Sequence, residues 1–90
     1  MRTRRHDQLI HRARRIVEER DAALLSLDER KIRAYMARHR IRPPLPEDFW
    51  PGVHKARARN TNQPMVERQL SVRWLMDHDY LAPGAEDVPV

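Results

Sequence analysis

Five histidines, His6, His11, His39, His54 and His78, are the first residues in this 90-residue chain that could do chemistry. A zinc site on a helix needs imidazoles that converge, through i, i+4 spacing or an H-E-x-x-H stretch. No two of these histidines stand four apart, and His6 and His11, five apart, fall on different helix faces. His39 ends an apolar stripe and reads as a partly buried core histidine. The chain has no cysteine, which removes thiolate nucleophiles, disulfides and Cys-type zinc sites. No metal and no cofactor are expected.

Acid–base chemistry fares no better. The adjacent carboxylates are Glu18-Glu19, Asp28-Glu29 and Glu47-Asp48. Neighbours on a helix point about 100° apart, so such pairs do not converge on a substrate. The last two pairs fit helix starts, where negative charge suits the dipole. Ser26 reads as a helix cap, and Ser71 lies in the polar surroundings of a later helix. Neither stands in a recognisable Ser-His-Asp arrangement. With only Gly52 and Gly84, the chain has no glycine-rich phosphate loop. The expectation is a protein that is not an enzyme.

What remains is charge. Residues 1–45 balance at +7 and residues 46–90 at −2, within a net charge of +5. Of the 18 basic residues, 16 are arginine, whose planar guanidinium binds phosphates and carboxylates bidentately. They form clusters: Arg2 to Arg15, then Lys31 to Arg42, then Lys55, Arg57 and Arg59. The candidate partner- or phosphate-binding residues are Arg4, Arg5, Arg12, Arg15, Arg33, Arg38, Arg40, Arg42, Trp50, Lys55 and Arg59. The partner is another protein or a nucleic acid, and the first helix could also pair with a copy of itself. The leading expectation is a small protein-binding module, such as an inhibitor, adaptor or assembly subunit. A basic nucleic-acid-binding regulator is the alternative, although no zinc-finger, zipper or RNA-recognition signature is present.

These residues must be positioned by helices, since no segment alternates long enough for a strand. The expected fold is all-α, a small bundle of about four helices with a long first helix. The first is expected over 4–25, with Leu9, Ala13, Ile16, Val17, Arg20, Ala23 and Leu24 on one stripe and Arg5, Arg12, Arg15 and Glu19 off it. Ser26-Leu27-Asp28-Glu29 reads as a capping box that starts a second helix ending by Arg40. Ile32, Tyr35, Met36 and His39 form its apolar face. Pro43, Pro44 and Pro46 stiffen a linker over 41–47. The third helix is expected over 48–59 with Asp48 as its cap. Phe49 and Trp74 are assigned to the core, and Trp50 either to the core or to an exposed anchor for a partner. Asn60-Thr61-Asn62 is a turn before a fourth helix, on which Val66, Leu70, Trp74 and Asp77 share a line and Met65, Val72, Leu75 and Met76 widen the apolar surface. Tyr80 and Leu81 are expected to fold back.

One domain over 1–82 and a loose acidic tail over 83–90 complete the layout. The longest apolar run, Ala22-Ala23-Leu24-Leu25, cannot span a membrane, and no membrane partner is expected. Lack of cysteine and of an apolar leader core points to a cytoplasmic home.

Overall fold

The computed structural model describes residues 2–81, with side chains from Asp7 onward. Arg4 and Arg5, as side chains, and the acidic tail over 83–90 lie outside the described residues. Among those described, the chain is four helices and no strand: α1 (Arg2–Ser26), α2 (Glu29–Arg38), α3 (Pro46–Arg59) and α4 (Met65–Asp77). No helix among them is long and apolar enough to cross a membrane. The shape is elongated, 54 × 28 × 17 Å.

α1 has no proline or glycine and is rich in Arg, Glu, Ala and Leu, all good helix formers. It runs through Ser26, so Ser26 does not cap α2. The cap is Asp28, whose carboxylate accepts from the Arg30 and Lys31 amides at 2.9 and 3.4 Å. Ser26 Oγ instead donates to the Ala23 carbonyl at 2.6 Å and accepts from the Asp28 amide at 3.1 Å, which ties off the end of α1. The cap is therefore shifted by two residues, and with Lys31 three residues after Asp28 the expected capping box does not form. A proline displaces the next expected cap: Pro46 occupies the first turn of α3, where its fixed φ and absent N–H are tolerated. Asp48 thus lies inside the first turn rather than before it.

Two helices end in Schellman motifs without glycine. Ile41 N–H donates to Met36 O at 2.8 Å and Arg40 N–H to Ala37 O at 3.2 Å. Tyr80 and Asp79 repeat this on Leu75 O and Met76 O at 2.8 and 3.1 Å. Arg40 and Asp79 accordingly sit at φ 55° and 64°.

α2 folds back along the C-terminal part of α1, and Ala23, Leu24, Ile32, Phe49 and Val53 bury against one another. Each large apolar side chain of this set contributes about 1.5–3 kcal/mol by leaving water. A second cluster, Ala58, Val72 and Leu75, joins α3 to α4. Leu81 packs against it and Tyr80 lies parallel to Trp74 at 6.1 Å, so the chain after α4 does fold back.

The seam between α3 and α4 buries the expected Val72 and Leu75 but overturns the line through Val66 and Leu70. Arg68, Ser71, Val72 and Leu75 point inward, whereas Val66 and Leu70 are 65% and 56% exposed. Arg57, expected on the surface, is fully buried. Its Nε donates to Ser71 Oγ at 2.7 Å and its Nη1 to Leu24 O at 2.7 Å, while Nη2 meets Glu67. Arg68 Nε caps the Ala58 carbonyl at 3.1 Å. The inward face of α4 is mixed: Val72 and Leu75 fill the apolar cluster, and Ser71 with Glu67 supplies acceptors that the buried Arg57 needs. Trp74 is only half-buried, stacked between His54 (4.3 Å) and His78 (3.9 Å).

Asp21 of α1 clamps the turn between α3 and α4. Its carboxylate accepts from Asn60 and Asn62 at 2.7 and 3.1 Å, and its carbonyl from Gln63 at 2.9 Å. That latch and the bonds from Arg57 fix the lower end of α1 to the bundle. The upper end is free of it.

Candidate functional site

Every residue from Asp7 to Arg15 of α1 is exposed. The expected apolar stripe splits there: Ala23 and Leu24 are buried, Ile16, Val17 and Arg20 partly so, and Leu9 and Ala13 are open. α2 is too short to cover the whole of α1, so residues 7–15 project as an arm. Leu9 is 63% exposed and Ile10 43%.

Beside this stripe runs a basic crevice of about 630 Å³. Gln8, His11, Arg12 and Arg15 line it from α1, and Arg38 and His39 from the end of α2. The positions 8, 11, 12, 15 and 19 recur at three and four residues, which puts them on one face. Glu19 lies at the base. Its carboxylate accepts from His39 Nε2 at 2.9 Å and pairs with Arg38 at 3.4 Å. The hydrogen bond from His39 holds its pKa below the ordinary carboxylate value, against burial, and the charges of Arg38, His39 and Arg15 add to this. With Glu19 already engaged, Arg12 and Arg15 have no partner among the ion pairs of the described residues.

Of the candidate residues, the fold therefore brings together Arg12, Arg15 and Arg38. The others scatter. Arg33 pairs with Glu29 at 3.3 Å and lays its guanidinium over the Phe49 ring at 4.3 Å, a packing role. Arg40 forms the α2 terminus. Arg42 lines an apolar groove between α1, α2 and α3. Lys55 lies over the Tyr80 ring at 5.6 Å. Arg59 borders the Asn60–Asn62 turn with Arg20. Trp50 is half-buried with its edge against Phe49 at 5.0 Å, so it is not a free anchor.

One constellation escaped the sequence reading. His54 Nδ1 lies 3.0 Å from Ser71 Oγ, and both residues are buried. Ser71 Oγ accepts from Arg57 Nε, and its one donor and second lone pair let it pair with either tautomer of the His54 ring. Burial, then the charges of Arg57 and His78, lowers the His54 pKa to about 4. The pair resembles a nucleophile and base, but Ser71 is fully enclosed and out of reach of any substrate while the α3–α4 seam is closed. Its seventeen-residue separation gave no sequence signal. No group of three or more metal-ligating side chains occurs among the described residues.

No protein-family model, curated protein or solved structure matches this chain.

Proposed function

We propose that this chain is a non-enzymatic protein-binding module, an inhibitor, adaptor or assembly subunit, that presents the arm of α1 to its partner. The observation that carries this reading is the exposed pair Leu9 and Ile10 beside Arg12 and Arg15. Phosphate binding needs the guanidinium groups but gains little from an apolar stripe next to them. A protein surface uses both: apolar contact for affinity and charge for steering and register. A second copy is a poor occupant, because pairing two arms brings their Arg12, Arg14 and Arg15 groups near one another.

The nucleic-acid reading rests on one specific feature, the convergence of Arg12, Arg15 and Arg38 from two helices on one crevice. The two readings differ in what the apolar stripe does. A tagged pull-down from the native host, with and without nuclease, compares the wild type with Leu9→Glu and with the double variant Arg12→Glu, Arg15→Glu. One dominant protein that survives nuclease, lost from both variants while their helical circular dichroism is kept, is the expected result. An eluate of nucleic acid that nuclease removes and Leu9→Glu leaves intact would transfer the function to the alternative.

A further inference from the structure

Between α1, α2 and the front of α3 lies an apolar groove of about 340 Å³. Its floor is the larger core cluster, Ala23, Leu24, Ile32, Phe49 and Val53, and Arg20, Arg42 and Asp48 supply its charged lining. Gly52 forms part of the wall.

Gly52 is the informative residue. It lies inside α3, where glycine costs about 1 kcal/mol relative to alanine. Its φ is not in the left-handed region, and a Cβ built there meets no heavy atom within 4 Å. Neither backbone geometry nor packing asks for a glycine. A Cβ there would stand in open space at the rim of the groove, so a larger side chain has room to reach over it.

The groove also continues the arm. Leu9, Ala13, Ile16, Arg20 and Ala23 follow one another at four and three residues, the spacing of a helix–helix seam. The first two are exposed on the arm, and the last two line the groove. The seam from Leu9 to Ala23 is about 21 Å long at the helical rise. Arg12 and Glu19 flank it on one side, Glu19 already paired with Arg38 and His39, and Arg15 lies further round in the crevice.

We infer that the partner is an acidic amphipathic helix which lies along α1 and inserts one bulky apolar side chain into the groove beside Gly52. The inference rests on the protein-binding reading above and names the chemistry of that partner. Carboxylates on the flank of the incoming helix meet Arg12, and Arg15 in the crevice beside it adds to the attraction. The anchor fills a site whose walls are preformed, so little ordering opposes it.

The test uses the full chain and a fluorescein-labelled synthetic peptide of about three heptads, with Leu at the seam positions, Glu on the flanks and one central Trp. Binding is read by anisotropy. Wild type is expected to bind, more weakly as salt rises. Gly52→Leu fills the groove and replaces glycine with a good helix former. It should therefore lose at least about tenfold in affinity with a melting temperature no lower than wild type. A peptide with alanine in place of the tryptophan should lose a similar factor on wild-type protein, which gives a readout independent of any protein variant. A peptide with Lys for Glu should not bind. Equal affinity of Gly52→Leu, or of the alanine peptide, would overturn the groove assignment. If Leu9→Glu abolishes binding while Gly52→Leu does not, the groove falls and the arm still stands. If no peptide binds wild type, the inference falls and the pull-down alone decides the function.

Discussion

Arg57 Nε donates to Ser71 Oγ at 2.7 Å inside a seam where neither side chain reaches water. The same guanidinium holds Leu24 O at the end of α1 and the carboxylate of Glu67 on α4. One side chain thus joins three helices. Arg57→Ala leaves the Leu24 carbonyl, the Ser71 hydroxyl and Glu67 without their donor. The expected loss is about 3–5 kcal/mol, a large share of the stability of a small domain. Urea denaturation followed by circular dichroism measures it. A loss under about 1 kcal/mol would mean that water replaces the guanidinium without penalty.

Acid should weaken the fold through the same seam. His54 has a folded pKa of about 4 against an ordinary 6.5, so the unfolded chain takes up this proton first as pH falls. Its contribution is whole above pH 6.5 and is lost progressively between there and about 4. The depressed Glu19 carboxyl acts in the same direction at lower pH. Denaturation midpoints should be flat above neutrality and fall through that window, by on the order of 3 kcal/mol from His54. His54→Gln should flatten most of the slope. An unchanged slope would show that the histidine is hydrated in the folded state.

Arg40 separates a structural cost from a binding role. It holds φ 55° without being glycine, a conformation that costs an L side chain about 1–2 kcal/mol. Arg40→Gly relieves this, less the greater freedom of glycine in the unfolded chain. A gain of about 0.5–1 kcal/mol, seen as a higher melting temperature, is expected. Partner capture should be unaffected, because Arg40 lies outside the crevice lined by Arg12, Arg15 and Arg38. Loss of capture in this stabilised variant would extend the binding surface to the end of α2.

The sequence by itself determined the helices. Uninterrupted helix formers set α1, Pro43 and Pro44 enforce the break before α3, and Asn60-Thr61-Asn62 sets the turn before α4. It also determined the basic front half and the common face of Arg12, Arg15 and Glu19, while the packing of α2 on α1 decided that Arg38 joins them. The tertiary structure decided which faces turn inward. On α4 the apolar line of Val66 and Leu70 is left exposed, and Arg68 and Ser71 are buried beside the expected Val72 and Leu75. The reason is that a buried guanidinium must have all its donors met, and the acceptors for Arg57 come from Leu24, Glu67 and Ser71, on two other helices. Periodicity reads one helix at a time and cannot see that requirement. The groove beside Gly52 is likewise a relation among three helices, and a glycine inside α3 becomes meaningful only once the space beside it is known to be open.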